Sequence, residues 1–342
     1  MIRRTILLCL FFALYVALWA QNDAGKSSAV VENRPKVGLV LGGGGAKCAA
    51  EVGVLKFIEL ADVKIDYIAG TSIGSIIGAL YSIGYRAADL DSLFHSQEWL
   101  ALLTDRSNEH ASKFISRKDD TLYMFGFPIK KRKIESKNYT KTLGFSRGES
   151  ITNLFKEMIN RPDSIGFDTL PIPFRCVAVD LRKFEEVVLS SGNLAEAMRA
   201  SMSIPGFFKP VSKDSMLLAD GGLLNNLPVD VVRSMGAEKV IAIDLTQNKH
   251  TKRMNKRYNK PGAEQRKSRK TGVRGLLTWI IDRPDLAKYS TNINDIDVYI
   301  NPDLDGYNAL DFKPSKIAKM IRKGEIAGEA ALDELKKLSR NQ

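Results

Sequence analysis

Cysteine and histidine are both scarce in this chain, with three of each in 342 residues. Cys9 lies in the apolar N-terminal run. That leaves Cys48 and Cys176, too few for a disulfide framework. No C-x-x-C, H-E-x-x-H or calcium-loop spacing occurs, so neither a metal nor another cofactor is expected. Beyond the N-terminal run, no stretch is apolar and long enough to cross a membrane. Acids are also in deficit: 39 Asp and Glu against 51 Lys and Arg give a net charge of +12.

The charged and apolar residues that are present divide the chain. Arg3 and Arg4 precede an apolar run from Thr5 to Ala20, after which the chain turns polar. Residues 1–20 therefore read as a secretory signal, which implies a secreted or periplasmic protein, with an uncleaved anchor as the alternative. Residues 21–34 read as a flexible lead, and residues 35–342 as one domain. Much of the positive excess sits between Gln247 and Gly275, where eleven Lys and Arg face one acid, Glu264. Without apolar periodicity, and with Pro261-Gly262 inside it, this stretch reads as a solvated basic loop. Peripheral contact with an anionic membrane through residues 247–275 is the second reading. Nucleic acid is not expected, because Tyr258 is the one ring there on which a base could stack.

Strand and helix patterns alternate along the domain. Val37–Leu41 is a continuous apolar run, as a buried parallel strand requires. Further strands are expected over Asp66–Ala69, Phe174–Asp180, Met216–Ala219, Val240–Leu245 and Asp297–Ile300. Helices are expected over Ala46–Leu60, Ser75–Ile83, Leu194–Met202, Val229–Met235 and, closing the chain, Pro314–Leu338. The alternation predicts an α/β fold: a mostly parallel sheet covered on both faces, with ligands gathering at the carboxyl ends of its strands. Residues 99–161 are less regular and read as a cap over that edge.

Gly70-Thr71-Ser72-Ile73-Gly74 spells G-x-S-x-G between a predicted strand and a buried helix. That is the setting of a nucleophile elbow, with Gly70 and Gly74 admitting the tight turn and Ser72 at its crest. A serine nucleophile needs a base. His95, His110 and His250 follow no predicted strand, so a Ser–His–Asp triad is not expected. Asp220 is the better candidate. It ends the strand-like Leu217-Leu218-Ala219, and Gly221 and Gly222 behind it allow close backbone approach. Gly43, Gly44 and Gly45 open the first helix, where their N–H groups have the placing to hold an oxyanion. A phosphate loop would require lysine and Ser/Thr after its last glycine. A dinucleotide loop would require glycine at 47 or 48. The chain has Ala46-Lys47-Cys48.

Gly43-Gly44-Gly45-Ala46-Lys47, Gly70-Thr71-Ser72-Ile73-Gly74 and Asp220-Gly221-Gly222 together resemble the patatin-like phospholipase family in order and spacing. Ala200–Gly206 and Leu224–Pro228 resemble the family's stretches before and after the aspartate. The likeness covers roughly residues 36 to 246. It implies a three-layer α/β/α fold and a Ser–Asp dyad with no histidine. It also implies hydrolysis of carboxylic esters in phospholipids or related lipids through a covalent acyl-enzyme, of phospholipase A or lysophospholipase type. On that resemblance Ser72 is the nucleophile, Asp220 the base, and the Gly43–Gly45 amides the oxyanion hole.

The alternatives are an acyltransferase, and a catalytically weak or silent lipid-binding module on the same fold. One position departs from the family, which usually carries glycine where this chain has Cys48. The cysteine either fills a small buried space, narrows the oxyanion hole, or is a redox-sensitive thiol with a pKa lowered by the helix N-terminus and Lys47.

Overall fold

The first strand, β1 (Val37–Leu41), is buried at every residue. A run with no polar position has two faces to cover, which places it inside a parallel sheet. The computed structural model describes residues 34–105, 146–159, 161–162, 164–246 and 286–340, with side chains from 288 in the last of these. The expected signal, the lead up to residue 33, most of the expected cap, His110, the basic loop and His250 lie outside the described residues.

After one 3-10 turn, Gly45–Cys48, comes helix α1 (Ala49–Leu60). Then follow β2 (Tyr67–Thr71), α2 (Ile73–Ser82), α3 (Ala87–Ser96), α4 (Trp99–Leu103) and α5 (Glu149–Ile159). The second half runs β3 (Phe174–Asp180), β4 (Glu185–Leu189), α6 (Leu194–Ser201), β5 (Val211–Lys213), β6 (Met216–Asp220), α7 (Val229–Ser234) and β7 (Lys239–Ile243). It closes with α8 (Leu286–Ile293), β8 (Val298–Ile300), α9 (Pro314–Ala330) and α10 (Leu332–Arg340).

The strands form one eight-stranded sheet in the order β8-β7-β1-β2-β3-β6-β5, with β4 added to β3. From β8 to β3 every pairing is parallel. β4, β5 and β6 are antiparallel additions. The sheet is thus mostly parallel, as expected, with an antiparallel end that the sequence pattern does not announce.

Side chains alternate across the sheet, and each set finds its own cover. Leu39, Leu41, Ile68, Ile241 and Ile243 join the core that includes α1, α2 and α9. Val40, Ala69, Val177, Val240 and Ala242 join a second core under α7 and α8. Two helical layers therefore sandwich the sheet, giving the expected three-layer α/β/α architecture.

The expected single C-terminal helix is two. α9 ends at Ala331, whose N–H is shared between Ala327 and Gly328 carbonyls. The chain restarts as α10, which buries Leu335 and Leu338. Among the described residues, no helix is long and apolar enough to cross a membrane.

The register of β3 decides where the site forms. Its first half pairs with β2, from Ile68↔Phe174 to Thr71↔Val177. Its second half pairs with β6, from Ala178↔Asp220 to Asp180↔Leu218. β4 occupies the opposite edge over Cys176–Asp180. Parallel β2 and antiparallel β6 therefore lie end to end on one edge of β3, with their carboxyl tips facing each other. Asp180 fixes the start of β6, its Oδ1 accepting the Leu217 N–H at 3.0 Å.

Candidate active site

Ser72 is the first residue beyond the tip of β2, and Asp220 is the last residue of β6. Tip-to-tip strands thus deliver two residues far apart in sequence to one point. The Ser72 Oγ–H donates to Asp220 Oδ2 at 2.6 Å. Both are nearly closed to solvent, at 4% and 6% exposed.

The elbow is visible in the backbone. Ser72 has φ 57 and ψ −131, a region that costs a residue with a Cβ of order 1–3 kcal/mol. Local bonds repay part of that cost: the Ser72 carbonyl accepts Ser75 N–H at 3.0 Å and Ser75 Oγ–H at 2.6 Å. Its N–H donates to Ser201 Oγ at 3.0 Å. Close approach explains the flanking glycine. A Cβ on Gly74 would lie 2.5 Å from the Gly42 carbonyl oxygen and 2.7 Å from that of Leu41. Gly70, on the other side of the turn, stands in β2 against Cys176.

Asp220 is held from behind. Its Oδ1 accepts the Gly222 N–H at 2.8 Å, and its own N–H donates to Ser203 O at 3.0 Å. Burial pushes its pKa up to about 6, while the bonds from Ser72 and Gly222 pull the other way. Gly221 carries the chain over β3 between these two contacts.

The glycine loop lies against the nucleophile. A Cβ on Gly43 would stand 3.2 Å from the Ser72 Cβ and 2.3 Å from Asn226 Oδ1. Asn226 holds this glycine from both sides: Gly43 N–H donates to Asn226 O at 3.1 Å, and Asn226 Nδ2 donates to Gly43 O at 3.0 Å. Of the three candidate oxyanion amides, that of Gly43 is thus already engaged. Gly44 and Gly45 continue the loop into the 3-10 turn, where Ala46 N–H donates to Ala309 O at 2.9 Å.

Cys48 sits beneath this loop, fully buried, with its Sγ 3.6 Å from the Gly42 oxygen. Burial raises its pKa well above the ordinary thiol value. Of the three readings of Cys48, the low-pKa thiol is the one burial opposes: desolvation and the charge of Glu51 outweigh the lowering pull of the Gly44 and Gly74 amides. The cysteine is a packed, protonated space-filler. Three residues on, Glu51 is also fully buried, and neither carboxyl oxygen has a hydrogen-bond partner.

Of the three histidines, His95 is the one among the described residues. It is on α3, exposed, with Nδ1 2.7 Å from Asp91 Oδ1.

Sequence reasoning named Ser72, Asp220 and the glycines but gave no role to Ser201, Asn225 or Asn226. All three fall inside the stretches 200–206 and 224–228 already singled out. The backbone oxygen of Asn225 accepts the Thr71 Oγ1–H at 2.9 Å, fastening the end of β2 to the loop behind Asp220. Asn292 on α8 donates to Asn225 Oδ1 at 3.2 Å and to Leu227 O at 2.8 Å, holding that loop from the second core.

A strained serine between a parallel strand and a helix, on a doubly covered sheet, defines the nucleophile-elbow class of site. The family model for patatin-like phospholipase matches residues 39–233. The chain belongs to the patatin-like phospholipase family. It is 30% identical over 313 residues to patatin-like phospholipase domain-containing protein 7 of Mus musculus, covering 87% of this chain and 20% of that protein. It is 30% identical over 314 residues to lysophospholipase nte1 of Aspergillus fumigatus, covering 88% of this chain and 18% of that protein. The chain thus spans about a fifth of the length of these relatives. Among solved structures, VipD from Legionella pneumophila aligns over 88% of this chain and 67% of its own, at 16% identity and a TM-score of 0.47.

Proposed function

We propose that this protein is a serine lipid acyl hydrolase that cleaves carboxylic esters through Ser72 and Asp220. The observation that carries the proposal is the buried 2.6 Å hydrogen bond from Ser72 Oγ to Asp220 Oδ2, made from a strained elbow. The name of the fungal relative, a lysophospholipase, favours lysophospholipids and phospholipids as the first esters to try.

In the proposed first step, Asp220 Oδ2 takes the hydroxyl proton as Ser72 Oγ attacks the ester carbonyl. The negative charge moves to the carbonyl oxygen, and the glycine loop beside Ser72 receives it. Gly44 and Gly45 are the donors, because the Gly43 N–H is held by Asn226 O. The N-terminus of α2 adds its positive end. Asp220 then returns the proton to the leaving alcohol, and Ser72 keeps the acyl group. Water, deprotonated in turn by Asp220, attacks the acyl-enzyme, and Asp220 passes that proton to Ser72 Oγ as the acid leaves. A base with a pKa of about 6 is ionised at neutral pH yet strong enough to accept the proton in the transition state.

Labelling with a fluorophosphonate probe tests this directly. The parent is expected to label, and Ser72→Ala is expected to lose all labelling. Labelling that persists in Ser72→Ala, or none in the folded parent, sinks the proposal.

A further inference from the structure

Ser201 is the last residue of α6 and is fully buried. Its hydroxyl stands where a backbone hydrogen bond of the sheet belongs. In the β2–β3 ladder, Ile68 N–H donates to Pro173 O at 3.0 Å. A parallel ladder repeats every second residue, so Gly70 is the next donor and Ser72 the one after. The register Thr71↔Val177 then assigns Val177 O as the acceptor for the Ser72 N–H.

Instead, a hydroxyl is spliced between them. Ser72 N–H donates to Ser201 Oγ at 3.0 Å, and Ser201 Oγ–H donates to Val177 O at 2.6 Å. Both ladder groups remain satisfied although they no longer meet. The gap is one hydroxyl wide, and it occurs at the residue where the chain leaves the sheet with φ 57. It also occurs where β6 takes over the edge of β3, at Ala178↔Asp220.

We infer that Ser201 is a positioning residue for the nucleophile. Its hydroxyl acts as a spacer in the β2–β3 ladder, which turns the Ser72 backbone out of the sheet and keeps Oγ on Asp220. This rests on the reading of Ser72 as nucleophile. Without the spacer, the Ser72 N–H and Val177 O either close on each other, flattening the elbow, or are left as two buried unpaired groups. Either outcome moves Ser72 Oγ off the 2.6 Å contact. Misplacement by about 1 Å costs on the order of a hundredfold in rate.

The test is the rate of fluorophosphonate labelling in Ser201→Ala and Ser201→Thr, at a temperature where both are folded. Ser201→Ala is expected to lower the first-order labelling constant by about a hundredfold, with half-saturation by the probe unchanged. Ser201→Thr keeps the hydroxyl and is expected to stay within about threefold of the parent, as rescue by the retained group requires. If Ser201→Ala does not fold, Ser201→Cys replaces it, matching the volume with a weak donor and acceptor. Overturning results are an Ala or Cys variant within about threefold of the parent, or a Thr variant as slow as Ala, judged by the same labelling constants.

A crystal structure of Ser201→Ala separates this inference from the hydrolase reading. If the parent shows no Ser72-dependent labelling, that reading fails, and the structure alone judges the spacer. Ser72 at negative φ with its N–H on Val177 O supports the inference. An unchanged elbow overturns it.

Discussion

Asp220 and Glu51 are both buried carboxyl groups near the carboxyl edge of the sheet, and their surroundings differ. Asp220 has the Ser72 hydroxyl on one oxygen and the Gly222 N–H on the other. Glu51, beneath the glycine loop, has nothing on either. Burial raises the pKa of both. Asp220 comes to rest at about 6 because its two donors favour the charged form. Glu51 is driven well above the usual carboxylate range by burial, with the charge of Asp244 adding to the rise; the nearby Gly42 N–H is taken by Ile243 O at 3.1 Å and leaves the carboxyl unbonded. Donors thus separate the acid proposed as base, which burial brings only to about 6, from one that burial holds in its protonated form. Depth of burial or size of shift alone would have picked Glu51.

The largest test of this contrast is Asp220→Asn. It keeps the shape and the Gly222 contact but removes the base, so fluorophosphonate labelling is expected to fall by 10²–10⁴-fold, or roughly the whole of general-base catalysis. Stability at pH 7 is expected not to drop, because the folded state no longer holds a desolvated acid. A denaturant midpoint below the parent's would show that Asp220 is needed for the fold rather than for chemistry.

Next in size is the acid limb of the parent. Asp220 accepts a proton only when ionised, so labelling is expected to fall about tenfold per pH unit below pH about 6. A limb with its midpoint near 4 would mean that burial does not set this pKa.

Glu51→Gln tests the other acid through stability. The unfolded chain gives up the Glu51 proton near pH ~4.3, whereas the folded chain keeps it. Folding therefore loses stability as pH rises through that point, and the glutamine variant does not pay that penalty. Urea unfolding is expected to show equal stability at pH 4 and a more stable variant at pH 8, with labelling within about threefold of the parent. A variant less stable at pH 8 would mean that the carboxylate has a partner after all.

The smallest functional effect is expected at Cys48→Gly, which restores the family's usual residue. Emptying a fully buried site in the turn that opens α1 should cost about 1–3 kcal/mol of stability. Labelling should stay within about threefold of the parent. A large rise in rate would instead identify the cysteine as a restraint on the oxyanion loop.

The parts of the site legible in the sequence are those written locally. Glycines around Ser72 and behind Asp220 mark chain reversals at strand ends, and a continuous apolar run marks β1. What escaped depends on pairing between distant segments. β4 begins Glu185-Glu186 and β5 has three residues, so neither shows an apolar pattern. Their place follows from β3 having an edge to fill. Ser201 looks like any helix-end serine until the register of β2 on β3 is known. The Gly43 amide looked available because its acceptor, Asn226 O, is 183 residues away. The break at Ala331 follows from where Leu335 and Leu338 find cover, which the amphipathic pattern of the whole segment does not reveal.

The end-to-end seating of β2 and β6 on β3 also bears on when the chain becomes active. Ser72 and Asp220 are 148 residues apart and meet only after β3 has collected neighbours from both directions. A chain that has emerged as far as β3 carries the serine but no base. On the proposed chemistry, the centre is assembled only when β6 joins β3, a step that chain order places ahead of β7 and β8.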